Sequence, residues 1–206
     1  MTTAKDLFIV AMDPRPERSV GQGDLSLALA GAELIDLIGA GAVTVDGDRI
    51  VPAGPSAPDD RLLGEAAARL TRQPPHEQIE DWLWRRGKDL SAAYQEALEE
   101  EGELTRKRGG RLSFGSERVE PADTPARRGA ADRWEGREPV LVALASAVGV
   151  DDGRPDGEGG PDDEPGLDDA VTTVVAAVHD AVMELESVRQ RRTIENAAFA
   201  NVWRGP

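Results

Sequence analysis

Residues Asp24–Val51, DLSLALAGAELIDLIGAGAVTVDGDRIV, decide the fold. Leu25, Leu27, Leu29, Ala32, Leu34, Ile35, Leu37 and Ile38 leave only Ser26, Glu33 and Asp36 polar. A helix apolar on nearly every side belongs inside a domain, enclosed by others. Asp24 is the expected N-cap, and Gly39-Ala40-Gly41 is the expected stop. Val43 and Val45 then alternate with Thr44, Asp46-Gly47-Asp48 supplies a turn, and Arg49-Ile50-Val51 returns as the second strand of a hairpin. The helix is too short, and too interrupted by Asp and Glu, to cross a bilayer. It is a core element.

Outward from this unit, the composition sets limits. Aromatic residues are 4% of 206, so the core must be built from Leu, Val, Ile and Ala, which favours helices. With no cysteine, disulfides, thiolate metal sites and cysteine nucleophiles drop out together. No secretory leader is legible, and a cytoplasmic location is the expectation. The net charge of −15 repels nucleic acid and anionic lipid at long range and attracts basic peptides. It is unevenly spread. Residues 106–137 carry nine Lys or Arg against five acids, and residues 151–169 carry nine acids against one Arg.

Asp6–Met12 reads as a short helix capped by Thr2 or Thr3, with a strand as the alternative. Pro52–Pro58 reads as a linker. Asp59 or Asp60 caps a helix burying Leu62, Leu63, Ala66, Ala67 and Leu70. Gln73-Pro74-Pro75 stops it, and Glu77 is expected in the first turn of the next, whose stripe is Ile79, Trp82 and Leu83. Gly87 breaks that helix, and another runs from Leu90 to Glu101 with Tyr94, Ala97 and Leu98 inward. A second hairpin follows over 104–114, with Arg111-Leu112 on its return strand. Gly41-Ala42-Val43-Thr44 matches Gly102-Glu103-Leu104-Thr105, and Arg49-Ile50 matches Arg111-Leu112, which suggests one unit used twice. Residues 115–138 are polar and arginine-rich, 140–148 form an apolar helix, and 151–166 form an acidic loop expected to be disordered. A long helix runs from Leu167 to Arg192, and Phe199, Val202 and Trp203 suggest a last docked turn. The fold class is mainly α: one domain over residues 1–206, with short β-hairpins.

No catalytic constellation can be assembled. His76 and His179 stand apart, and the acids of 151–169 lack calcium-loop spacing. No enzyme activity, metal or cofactor is expected. The sharpest feature is the basic finger Arg106, Lys107, Arg108 and Arg111. Trp82, Trp84, Arg85, Arg86 and Lys88 form a second, aromatic-basic cluster, in which Trp82 is expected in the core and Trp84 at the surface. The candidate lipid- or anion-binding residues are therefore Arg85, Arg86, Lys88, Arg106, Lys107, Arg108 and Arg111. A helix followed by a charged hairpin also fits a winged-helix DNA-binding regulator. The net charge and the run Glu99-Glu100-Glu101 weigh against nucleic acid.

Five stretches in order carry a resemblance: Leu7–Asp13 (LFIVAMD), Leu29–Leu37 (LAGAELIDL), Leu62–Ala66 (LLGEA), Gln73–Trp82 (QPPHEQIEDW) and Glu101–Thr105 (EGELT). The chain resembles the Golgi phosphoprotein 3 family, in the form of a bacterial member. The resemblance implies a mainly α domain with a protruding basic hairpin at 104–114 that supports homo-oligomers and membrane association. It implies a peripheral membrane or adaptor protein that binds phosphatidylinositol 4-phosphate and holds basic peptide tails of membrane proteins. The lipid-pocket positions it implies are Gly21, Ala30, Lys88 and Ser91, of which only Lys88 keeps a charge.

Overall fold

The computed structural model describes residues 2–12, 20–54, 58–108, 117–150 and 167–202. Its elements are α1 (Thr3–Met12), α2 (Gln22–Gly39), β1 (Val43–Asp46), β2 (Arg49–Pro52), α3 (Arg61–Ala68), α4 (Ile79–Arg86) and α5 (Leu90–Glu100). They continue with β3 (Leu104–Arg108), β4 (Glu117–Pro121), α6 (Pro125–Glu135), α7 (Pro139–Ala147) and α8 (Asp169–Val202). The fold is mainly α with two antiparallel hairpins, as expected.

α2 is the axis of the molecule. It packs against α1, α3, α4, α5, α7, α8 and β1, and every residue from Leu25 to Ile35 is buried. Its small residues set the approach distances. A Cβ at Gly31 would collide with Val178 Cγ2 of α8, so a glycine is what lets these helices cross closely. One continuous core joins Leu29, Leu34 and Leu37 of α2 to Phe8, Trp82, Tyr94, Leu141 and Val178.

The ends of α1 and α2 are tied to each other. Asp36 of α2 accepts the Thr3 and Ala4 amides at 3.1 and 3.3 Å, and Thr2 accepts the Lys5 amide. An acid on one helix thereby satisfies orphan donors of another. Burial pushes the Asp36 carboxyl upward, against the pull of these amide donors.

The two helix–hairpin units are closely alike. After α2, the Ala42 amide donates to Leu37 O and the Gly41 amide to Ile38 O, with Gly41 at φ +67°. After α5, Glu103 donates to Leu98 O and Gly102 to Glu99 O, with Gly102 at φ +75°. Both are Schellman stops that need a left-handed residue. The hairpins then close alike. Ala53 donates to Ala42 O and Ala122 to Glu103 O, while Thr44 and Thr105 donate their hydroxyls to Val51 O and Glu120 O. The match of Gly41–Thr44 to Gly102–Thr105 therefore holds at the level of single hydrogen bonds.

Five expectations need correction. The return strand of the second hairpin is β4, pairing Leu104 with Pro121 and Arg108 with Glu117, so the hairpin is longer than 104–114. Arg111 and Leu112 lie outside the described residues. Asp24 does not cap α2, which starts after Gly21; it lies in the first turn, where it holds Arg189 of α8. Glu77 precedes α4, whose cap is Gln78 and whose first-turn acids are Glu80 and Asp81. Residues 115–138 hold α6 as well as β4, with Thr124 as N-cap and Pro125 at the first position. The acidic stretch 151–166 lies outside the described residues, and α8 runs on to Val202 where a separate docked turn was expected.

The α2–α8 crossing gives a test. Gly31→Ala should lower stability by about 1–3 kcal/mol through overpacking against Val178. In urea unfolding, Val178→Ala should cost less in the Gly31→Ala background than in the parent chain.

Candidate functional site

The sequence places a carboxylate and a guanidinium where side chains must point inward. Glu33 lies on enclosed α2, and Arg86 lies on the stripe of Ile79, Trp82 and Leu83 along α4. The two meet as a bidentate pair. Arg86 Nε and Nη2 donate to the Glu33 oxygens, both at 2.7 Å, and the Tyr94 hydroxyl of α5 donates to Glu33 Oε1 at 3.1 Å. Arg86 is 4% exposed and Glu33 0%. Arg86 also donates to Leu62 O of α3 at 3.4 Å. This placement removes Arg86 from the candidate surface cations: its charge is spent inside the core.

With Arg86 inward, Trp84 and Lys88 face out. They are four residues apart across the end of α4, and both line a groove of about 440 Å³. Its other walls are Gln22, Gly23, Ser26 and Leu27 of α2, Ser91 and Ala92 of α5, and Leu185 of α8. Its floor is rigid for local reasons. A Cβ at Gly87 would sit 3.2 Å from Ser26 O, so glycine allows α4 to end directly on α2. The Ser91 amide donates to Ser26 Oγ at 3.0 Å, and Asp89 at φ 57° turns the chain from α4 into α5. Asp is among the few side chains that tolerate that left-handed region. Lys88 is exposed and has no ion-pair partner among the described residues. Trp84 is 36% exposed.

One end of the groove is fixed by Arg189, which donates from Nη1 to both Asp24 oxygens at 2.8 Å. Gly23 leaves room for this, since a Cβ there would meet Arg189 Nη2 and Leu185 Cδ2 at 2.9 Å. Of the positions singled out by resemblance, Lys88 and Ser91 line the groove and Gly21 adjoins it as the N-cap of α2. Ala30 is buried, and its carbonyl accepts the Trp82 indole N–H at 3.1 Å.

The remaining candidate cations are spread out. Arg85 forms a bidentate pair with Glu77 at 2.7 Å and lies 5.2 Å from the centre of the Trp82 ring. The Glu77 hydrogen bond raises its pKa further. Arg106 is held by Glu99 at 2.7 Å. Lys107 and Arg108 lie on β3 and are not among the groove-lining residues, and Arg111 lies outside the described residues.

A second cleft, of about 430 Å³, is acidic. Asp59, Asp60, Glu101 and Glu103 surround Lys5, which pairs with Asp60 at 2.8 Å and Glu101 at 2.7 Å. Burial opposes ionisation of Asp60, but Lys5 and the Leu63 amide overcome it and hold the carboxyl below its ordinary value.

His76 accepts Arg49 Nη1 through its backbone oxygen, and His179 is exposed on α8. Among the described residues no group of three or more His, Asp or Glu could hold a metal. Among them, too, no helix is long and apolar enough to cross a membrane. Sequence reasoning grouped Trp84 with Lys88 but missed the Glu33–Arg86 pair and the wall supplied by Leu185. Spacing carried the first of these, since Arg86 falls on a stripe of buried residues.

The fold and site define a mainly α protein with two hairpins and an outward-facing tryptophan–lysine groove. The family model for Golgi phosphoprotein 3 matches residues 4–185, and the chain belongs to that family. Comparison with curated proteins found no match.

The buried hydroxyl gives a pH test. Burial, then the Glu33 charge, lifts the Tyr94 pKa well above the ordinary tyrosine value of about 10. The folded chain keeps a proton that the unfolded chain loses. Stability from this group is therefore full below about pH 10 and declines as pH rises past it. Tyr94 is the only tyrosine, so tyrosinate absorbance should rise with alkaline unfolding and not before it. The alkaline decline should be shallower in Tyr94→Phe.

Proposed function

We propose that this chain is a non-enzymatic peripheral membrane protein of adaptor type, whose Trp84–Lys88 groove takes an anionic lipid headgroup at a bilayer surface. The observation that carries this reading is an exposed tryptophan and an unneutralised lysine side by side on one rigid groove. A tryptophan with an apolar body and a polar edge suits the membrane–water boundary. Each basic side chain near an anionic surface contributes roughly 1 kcal/mol.

With only one charge in the groove, the headgroup is held weakly, and other contacts must contribute. Lys107 and Arg108 of β3, and Arg111 shortly after them in the sequence, are the further cations of this reading, and the second hairpin is the proposed contact for homo-oligomers. Arg85 and Arg106 contribute less, because Glu77 and Glu99 already hold them. A phosphoinositide such as phosphatidylinositol 4-phosphate is the headgroup that the family suggests. The protein then works on the cytoplasmic face of its membrane. The acidic cleft around Asp59 and Glu103 suits basic peptide tails of membrane proteins, which gives the adaptor half of the proposal. The pairing of Arg106 with Glu99 weakens the hairpin as a DNA-reading wing.

Vesicle flotation tests the proposal. Binding is measured to neutral phosphatidylcholine vesicles, to the same vesicles with phosphatidylserine or phosphatidylinositol 4-phosphate, and to duplex DNA at equal salt. The protein should float only with anionic vesicles. Lys88→Ala should weaken binding roughly fivefold, and Trp84→Ala by a comparable factor. Preference for DNA, indifference to all surfaces, or unchanged binding in both variants would each overturn the reading.

A further inference from the structure

The family match ends at residue 185, but α8 does not. Its last residues packed on the core are Val182 and Leu185, and Arg189 makes the final tether through Asp24. From Gln190 to Asn196 every residue is exposed, Ile194 at 69%. At 1.5 Å per residue the helix carries the chain about 25 Å beyond Leu185. Helical turns exposed on every side, as Gln190–Asn196 are, are marginal in water, so this stretch gains from a surface to lie on.

The composition says which surface. In a chain of net charge −15, residues 189–204 hold four arginines and one acid, Glu195. Arg191 and Arg192 are exposed and have no ion-pair partner among the described residues. Apolar residues are interleaved with them: Ile194, and in the sequence Phe199, Val202 and Trp203. Clustered arginines beside large apolar residues suit the boundary of an anionic bilayer, where each cation gains from the surface charge. The place fits too, because this segment leaves the core at Leu185, a wall of the groove that holds Trp84 and Lys88.

We infer that α8 beyond Leu185 is a second membrane-contacting element, which lies on the same anionic lipid surface as the groove and supplies the cations that the groove lacks. The inference rests on the proposed lipid-facing role of the groove. Its logic is that of two weak signals: one cationic groove gives reversible contact, and a neighbouring basic helix makes it stable. A second copy of the chain is the competing occupant, and side-by-side α8 segments would bring like charges together.

The test uses the full chain with substitutions at exposed positions, so thermal midpoints should match the parent. On phosphatidylserine–phosphatidylcholine vesicles, Arg191→Ala/Arg192→Ala should weaken binding roughly 25-fold, a factor of about five for each cation. Ile194→Ser should weaken it a few-fold, and Lys88→Ala should multiply the loss. If Lys88→Ala loses binding while the arginine variant binds like the parent, the inference falls and the groove reading stands. If the parent ignores the vesicles, both fall. If the arginine variant changes only the sedimentation of the protein, α8 serves a second copy and the inference is overturned.

Discussion

The arrangement depends on one buried ion pair. Glu33 and Arg86 meet through two hydrogen bonds of 2.7 Å in a place that water does not reach. Desolvating two charges costs several kcal/mol each, and that cost is offset only when the remaining donors and acceptors are satisfied. Here Tyr94 O–H, Leu62 O and the bidentate geometry meet that demand. The pair joins α2, the axis of the core, to α3, α4 and α5. An apolar pair of similar volume could fill the space. The ion pair adds a directional link, which holds the face of α4 already marked by Ile79, Trp82 and Leu83 in place against Glu33.

That choice of face connects core to surface. Once Ile79, Trp82, Leu83 and Arg86 are inside, Trp84, Arg85 and Lys88 must be outside. Gly87 and Asp89 then bend the chain into α5 without moving away from α2, and Ser26 receives the first turn of α5. The groove is thus a consequence of how four helices share a charge. The fully buried arginine and the exposed lysine lie two residues apart and have opposite fates for this reason.

Much of this was legible in the residues. The all-round apolar pattern of Leu25–Ile38 gave the central helix, and Gly41 and Gly102 marked Schellman stops that open two like hairpins. Trp84 and Lys88 were legible as members of one aromatic-basic cluster, with Trp84 expected at the surface. What failed had identifiable physical causes. Asp24 looked like a cap, yet its partner is Arg189, 165 residues away, and no local pattern encodes such a pairing. Arg86 was taken for a surface cation because charge was weighed above its position on a buried stripe. The Thr124-Pro125 start of α6 carried a readable cap signal that its arginine-rich setting obscured. The return strand β4 has no strong alternation, and its register follows from the pairing of Leu104 with Pro121.

The central claim is that the Glu33–Arg86 pair fixes α4 on α2 and so turns Trp84 and Lys88 outward. A double-mutant cycle on stability tests it most directly, with Glu33→Leu, Arg86→Met and the double variant compared by urea unfolding. Each single change strands a buried charge and should cost about 3–5 kcal/mol. The double change strands none and should cost less than either single one. Losses that simply add would show that the two side chains act independently, and would contradict the account.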